Sequence, residues 1–418
     1  MPQRYRVLIF LLLIIIYPLG AQSNDTETNA SYLVNDIVIS GLKRTKKHVV
    51  EKPLQKYIGQ DSSKIDFNDI RTAIVETGIL EPLSVEIEDD PQKEGKILKV
   101  EVHEKWSIFP IPVFFANSTG IIGGGLGFID LNALGINDKF LVGGLIDTEG
   151  WLAGTAYIHA PGMNNLLGWN VALFYSKQER ADTDENNRYI RKYGLSRFFA
   201  SGGVNYEITE PTLVYLNLTF INGKIHDIDN PFAVPEDGGS IISLHPGFRI
   251  RKNNWDGYFL SQKSFEIGYT YSFGIDSPSF QKIDIKTNFE KSLVPGFRMF
   301  VRGGLIYAPE TPPIFESGPR SVNISILPQS YSAQNYLGSS AGFEKYVFKR
   351  SFGTLSILSS YQLVYSDGPI LGERIDHGVL GAVQFYLRKI AIPAVGLGVS
   401  YNVSAGYLQA AFNVGMSF

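Results

Sequence analysis

The sequence predicts an all-β transmembrane barrel of sixteen antiparallel strands, preceded by a small α+β domain in the order β-α-α-β-β. Three observations predict it. The final residues alternate strictly: Leu408, Ala410, Phe412, Val414, Met416 and Phe418 share one face, while Gln409, Ala411, Asn413, Gly415 and Ser417 share the other. Successive side chains of a strand point to opposite faces, so one face is apolar and the other small and polar. A last strand ending on aromatic Phe418 suits an outer-membrane barrel with an aromatic interface girdle. Second, comparable segments recur at 107–115, 120–128, 139–147, 151–160, 168–177, 190–208, 212–222, 241–252, 260–273, 279–291, 296–306, 336–346, 353–364, 377–388, 394–403 and 407–418. Third, the connections sort by length.

The strands justify themselves by their faces. Phe265, Ile267, Tyr269, Tyr271 and Phe273 oppose Ser264, Glu266, Gly268, Thr270 and Ser272; Val214, Leu216, Leu218 and Phe220 oppose Tyr215, Asn217 and Thr219. Strands near ten residues cross a bilayer at a tilt. If the first strand leaves the periplasm, alternate connections are periplasmic turns, and these are all short: 132–137, 161–166, 209–212, 253–258, 292–296, 348–351 and 389–393. The long polar connections, 178–189, 224–240 and 307–335, fall only in the other set, which places Phe418 at the periplasmic rim.

Composition agrees. The 418 residues hold 22 Tyr, 27 Phe and 42 Gly, at a mean hydropathy of −0.01. Lipid-facing and water-facing residues average out in such strands. A net charge of −3, from 38 basic and 41 acidic residues, argues against a nucleic-acid role, which would need a concentrated basic face. With no Cys, disulfides, thiol catalysis and thiolate metal sites are excluded.

Arg4 and Arg6, the apolar run from Val7 to Ile16, and Tyr17-Pro18-Leu19-Gly20-Ala21 read as a signal peptide over 1–21. Residues 22–31 form a polar leader. The domain then occupies 32–104. A strand runs from Asp36 to Leu42, Thr45 caps a helix carrying Val49, Val50, Leu54 and Tyr57 with Pro53 inside it, and Asp66 caps a second helix ended by Gly78. Two alternating strands, Leu83-Val85-Ile87 and Ile97 to Val102, complete it, and residues 105–418 form the barrel.

The order of several short motifs resembles the BamA/TamA-type outer-membrane assembly-factor superfamily, in the form of a bacterial surface antigen barrel with a single POTRA domain. Val100-Glu101-Val102-His103-Glu104 resembles the end of a POTRA domain, and Glu104 to Pro112 the entry into the first barrel strand. Asn132-Ala133-Leu134-Gly135 resembles the early periplasmic turn, Arg251 to Gly257 a later turn, and Gly342-Phe343-Glu344 the twelfth-strand motif. The resemblance implies that loop 307–335 folds into the barrel and seats an Arg-Gly-aromatic tip against an acidic wall. Here the tip is Gln329-Ser330-Tyr331, so Gln329 stands for the arginine and Ser330 for the glycine. Glutamine cannot form the bidentate charged pair. Glu344 is the expected wall partner, with Arg320 as an alternative loop cation or else a solvated charge.

The resemblance further implies two working surfaces. One is an edge of the domain sheet at Leu83, Val85 and Ile87, open to β-augmentation by a client or blunted by Glu86, Glu88 and Asp89. The other is a lateral seam between residues 107–115 and 408–418, marked by Pro110, Pro112, Phe412 and Phe418. The prolines lack N–H donors, which weakens pairing and favours a gate there, or simply marks the start of a strand in an ordinary closed seam. The partners implied are outer-membrane lipids, unfolded β-barrel or secreted clients, and accessory periplasmic or lipoprotein factors. No nucleic acid and no cofactor is implied.

Tempting catalytic patterns fall away. Gly338-Ser339-Ser340-Ala341-Gly342 matches a nucleophile elbow but opens a strand with no following helix. Gly123–Gly127 sits within strand periodicity, and Asp182-Thr183-Asp184-Glu185 lacks the spacing of a Ca²⁺ loop. The histidines have no metal-ligand spacing. A non-enzymatic assembly or translocation factor is the expected function; a passive pore or secretion channel, or a structural surface antigen, are the alternatives.

Overall fold

In the computed structural model, the described residues are 32–414 except 119, 162–165, 210, 229–237, 257–258, 351–352 and 388–392. The signal, the leader and Phe418 lie outside them. The N-terminal domain comprises β1 (Val34–Ser40), α1 (Lys47–Leu54), α2 (Phe67–Glu76), β2 (Leu80–Asp89) and β3 (Lys96–Glu104). Its sheet has the order β1-β3-β2, with β1 parallel and β2 antiparallel to the central β3. Val50, Leu54, Ile70 and Ile74 from the helices bury against Val34, Ile37, Val85, Leu98 and Val100 of the sheet. Each such side chain contributes about 1.5–3 kcal/mol when fully buried. Asp66 caps α2 by accepting from the Asn68 N–H at 2.8 Å, and Gly78 leaves it with φ +76°.

Thr45, expected as a helix cap, does another job. The N-cap of α1 is Lys46, without a side-chain bond. Thr45 is buried, its Oγ1 accepting from Asn132 Nδ2 at 2.8 Å, because the domain docks there on the barrel. The Glu104 carboxylate accepts from the backbone N–H groups of Lys43, Arg44 and Thr45. Arg44 donates to Ser107 Oγ and Asp130, and the Lys46 N–H to Gly135 O at 2.8 Å. Burial alone pushes the Glu104 carboxyl up, but the three backbone donors outweigh it and hold the group below its usual range.

The barrel strands are β4 (Ile108–Asn117), β5 (Ile122–Ala133), β6 (Asp138–Asp147), β7 (Gly150–His159), β8 (Leu167–Thr183), β9 (Tyr189–Thr209), β10 (Thr212–Ile228) and β11 (Gly239–Asp256). They continue as β12 (Phe259–Gly274), β13 (Phe280–Val294), β14 (Phe297–Tyr307), β15 (Asn335–Arg350), β16 (Gly353–Asp367), β17 (Arg374–Leu387), β18 (Pro393–Asn402) and β19 (Tyr407–Val414). Each pairs with its sequence neighbours and β19 meets β4, closing the sixteen-strand antiparallel barrel. The polarity is that of a membrane barrel. Phe265, Ile267, Tyr269 and Phe273 are exposed on the outside, whereas Ser272, Ser360, Gln362 and Asn402 are buried inside.

The expected long connection at 178–189 is largely strand, and that at 224–240 is strand over 224–228 and 239–240, with 229–237 outside the described residues. Strands β8 and β9 stay paired out to Thr183↔Tyr189, leaving 184–188 between them, and β10 runs to Ile228. Beyond lipid a strand carries polar residues on both faces, so the loss of alternation that suggested loops marks the end of the apolar band. Among the described residues, the long connection that remains is 308–334.

Candidate functional site

Segment 308–334, between β14 and β15, fills the barrel. Its prolines set two 3-10 turns, Pro313–Phe315 and Pro319–Val322, and Asn323 reverses the chain in the left-handed region at φ +63°. These turns point an apolar set inward. Val322, Ile324, Ile326, Leu327 and Tyr331 bury with Ile306, Tyr336 and Val364 of the wall, and Ile314 packs against Tyr193 and Leu195. The loop supplies the larger share of the buried apolar residues inside the barrel, beside a wall cluster of Phe300, Leu358, Leu380 and Ala382.

Polar contacts fix the crossing. Gln362 Oε1 of β16 accepts from the N–H groups of Ser325 and Ile326 at 2.7 and 3.2 Å. Ser400 Oγ of β18 donates to Ser325 O at 2.7 Å. Gln409 of β19 donates to Ser325 O and to Leu327 O, the latter at 3.1 Å. The last strand is thereby tied to the loop. Sequence reasoning missed these anchors, whose signal was a Gln amide on the polar faces of β16 and β19 and a Ser hydroxyl on that of β18.

The tip lies elsewhere than the resemblance implies. Ser330 and Ser332 add to the far end of β8: the Thr183 N–H donates to Ser330 O at 2.9 Å, and the Ser332 N–H to Thr183 O at 3.2 Å. The Tyr331 hydroxyl lies 2.9 Å from Ser366 Oγ, and Gln329 is exposed at the cavity wall. Glu344, expected to meet the loop, is fully buried at 0% exposure and paired within the wall. Arg298, its register partner on β14, donates to Glu344 Oε2 from Nε at 3.0 Å and from Nη2. The Tyr386 hydroxyl and Ser356 complete the set. The physical reason is distance: Glu344 lies nine residues along β15 from the loop's return at Asn335, about 30 Å of strand. Arg320, the alternative cation, lines the cavity instead.

The loop-to-wall ion pairing is inverted. The loop supplies the acid, Glu316, which accepts from Ser332 Oγ at 2.8 Å and lies 3.7 Å from Arg191 Nη2. Arg191 and Arg180 also hold Asp182. A cavity of about 730 Å³ remains between the loop and the seam side of the wall, lined by Asn117, Asp147, Arg320, Gln329 and Gln409 among others.

At the seam, β19 and β4 pair among the described residues through Ala411↔Asn117, Phe412↔Ala116 and Asn413↔Phe115. The Phe412 ring meets Phe114 edge-on at 6.1 Å. Pro110 and Pro112 sit on the exposed face of β4, in register with Phe128 and Leu126 of β5. In the domain, β2 is an edge strand. Leu83 lies at a bulge and is 59% exposed, Val85 is buried and Ile87 half-buried, so the three do not form one open face. Glu88 and Asp89 pair with Lys99 and Lys96. Among the described residues, no group of three His, Asp or Glu could hold a metal ion.

No family model matches the sequence, and no curated protein matches it. Solved structures do. BamA from Haemophilus ducreyi, lacking POTRA domains 1–3, is 14% identical with a TM-score of 0.58, covering 92% of this chain and 84% of that one. CdiB from Acinetobacter baumannii is 13% identical with a TM-score of 0.65, over 92% of this chain and 74% of that one. CdiB from Escherichia coli is 10% identical with a TM-score of 0.57, over 95% and 92%. At such identities the likeness establishes the fold: an outer-membrane-type barrel with a small α+β domain before it.

Proposed function

We propose that this chain is an outer-membrane assembly or translocation factor that acts without a chemical reaction. The barrel stands in the outer membrane with the N-terminal domain in the periplasm, and the seam between β4 and β19 opens sideways for an unfolded β-barrel or secreted client. The observation that carries this reading is the occupied lumen. Residues 325–327 are hydrogen-bonded to β16, β18 and β19 across the barrel, so the route along the axis is obstructed beside the wall strand that would have to part. The free edge of β2 supports a client contact on the periplasmic side.

The chain has no cysteine, so a disulfide across one register pair tests the gate cleanly. Ala116→Cys with Phe412→Cys joins directly opposed residues. Oxidation in the native membrane is expected to lower the assembled outer-membrane β-barrel proteins, and reduction to restore them. An unchanged protein profile at complete oxidation overturns the gate. A passive pore is the competing outcome, shown by steady conductance in planar bilayers before any change to the loop.

A further inference from the structure

Strands β8, β9 and β10 carry a row of polar side chains on their outward face, where the apolar band ends. Alternation fixes the face. Tyr175 on β8, Phe198 on β9 and Leu218 on β10 are exposed apolar residues of the lipid-facing surface. Residues an even number of positions along each strand point the same way, so Lys177, Ser196 and Lys224 are outward. Register brings the three together: Lys177 lies opposite Ser196, and Ser196 lies opposite Lys224. With strands about 4.8 Å apart, the two lysine Cα atoms stand roughly 10 Å apart, with the serine between them.

Three observations make a site of this row. Both ammonium groups are uncompensated: Lys177 and Lys224 are exposed, and no acid among the described residues pairs with either. Glu179, the next outward residue of β8, pairs with Lys192 instead. The hydroxyl between the lysines is held in place, since His226 Nε2 lies 3.1 Å from Ser196 Oγ. The imidazole reaches it by lying across Gly194, its register partner, where a Cβ would run into His226 Nδ1. Finally, aromatic rings set the depth. Trp151 is opposite Lys177 on β7 and meets Tyr175 at 5.4 Å, and Phe198 meets Phe220 at 6.2 Å. Such rings collect at the level of lipid headgroups, which puts the lysine row at headgroup depth.

Charge selects the headgroup. A zwitterionic phospholipid would bring its own ammonium against the lysines, and a phosphodiester offers a single negative charge. A phosphomonoester carries about −1.5 to −2 and three acceptor oxygens, which matches two ammonium groups and one hydroxyl. We infer that Lys177, Ser196 and Lys224 bind the phosphomonoester of a lipid whose acyl chains lie against Trp151, Tyr175, Phe198 and Phe220. The orientation proposed above sets this rim outside, where the phosphomonoester lipid of an outer membrane is a phosphorylated disaccharide glycolipid. The site stands on the wall away from the β4–β19 seam, so it fixes the barrel in its leaflet without touching the gate.

The test titrates mixed micelles of diphosphoryl lipid A into the detergent-solubilised full chain at low salt. Lys177→Gln with Lys224→Gln is expected to weaken binding by about thirtyfold, roughly fivefold for each lysine. The control is Lys263→Gln with Lys345→Gln, which removes equal charge from the outward face at the opposite rim. Lys263 lies over the exposed Phe289 ring, and Lys345 is exposed in register with Phe297. The control is expected to bind as the wild type does; equal losses in the two double variants overturn the site. Two further lipids test the chemistry on the wild type alone. The same glycolipid stripped of its phosphates, and phosphatidylglycerol, are each expected to bind about tenfold more weakly. The stripped lipid binding as tightly as lipid A overturns a phosphate site, and phosphatidylglycerol binding as tightly overturns the preference for a phosphomonoester. No readout depends on the gate.

Discussion

Glu344 shows how a single buried carboxylate organises the wall. At 0% exposure it persists because Arg298 sits opposite in register, and Arg298 in turn holds Glu290, which also accepts from Arg302 at 2.9 Å. Removing one partner of a buried pair strands the other charge, so Glu344→Gln is expected to destabilise the barrel by about 3–5 kcal/mol, read by urea titration. Gln329→Arg, which would restore the missing loop cation, is expected to leave that titration unchanged, because the tip lies at Thr183. Glu344 was legible in the sequence as an acid on an inward face of β15. Its partner was not, because Arg298 is 46 residues away and only the β14–β15 register brings them together. Gln329 misled for a related reason: a motif carried by analogy specifies residue types, while the path of the loop is set by its own prolines and Asn323. Glu104 is the other residue with a measurable signature. Its carboxyl is held below its usual range, so its contribution to docking is complete above the unfolded value of about 4.3 and lost as pH falls through the lower folded value. Proteolysis between domain and barrel is expected to accelerate only in that acid window, and Glu104→Gln to show the acid rate at neutral pH; a rate flat with pH in the wild type would exclude this role.

The inward loop behaves as an element with its own core. Ile324 is buried at 0% exposure against the wall cluster, and an aspartate there would be left in apolar surroundings without a partner. Ile324→Asp is expected to release segment 308–334 and raise bilayer conductance while the strands still migrate as a folded barrel; conductance equal to wild type would mean that the loop does not close the axis. Gln409→Ala removes only the tie to β19, so it is expected to raise conductance less and to loosen the seam more, seen as faster exchange at Phe412. Strand existence was readable throughout from alternation, because lipid on one side and water or loop on the other impose a period of two. Strand length was not. The segments of β8 and β10 beyond the apolar band lose that contrast and read as loop, although their ladders run on to Thr183 and Ile228.

Those overlong strands show which rim of the barrel projects furthest, and the proposed orientation of the molecule can be tested. Strand β9 has 21 residues, which at about 3.3 Å each and a tilt near 40° stands roughly 50 Å tall, twice the apolar band of about 25 Å. Its outward face changes character along that height. Phe198, Val204, Tyr206 and Ile208 are exposed apolar residues, but Lys192 lies above them and pairs with Glu179 of β8. Lys177 and Glu179 follow Tyr175 on β8 in the same way, and Lys224 follows Phe220 on β10. Lysine and glutamate facing hydrocarbon are costly near the midplane, so these ends project into water on the rim opposite the N-terminal domain. A periplasmic domain requires that rim to be outside the cell. Asn187→Cys, in the short 184–188 turn, is therefore expected to react with a membrane-impermeant maleimide on intact cells. Glu81→Cys, on β2 of the domain, is expected to react only after the outer membrane is permeabilised. The reverse pattern would place the domain outside, remove the periplasmic route to the seam, and leave a surface antigen as the surviving reading of the fold.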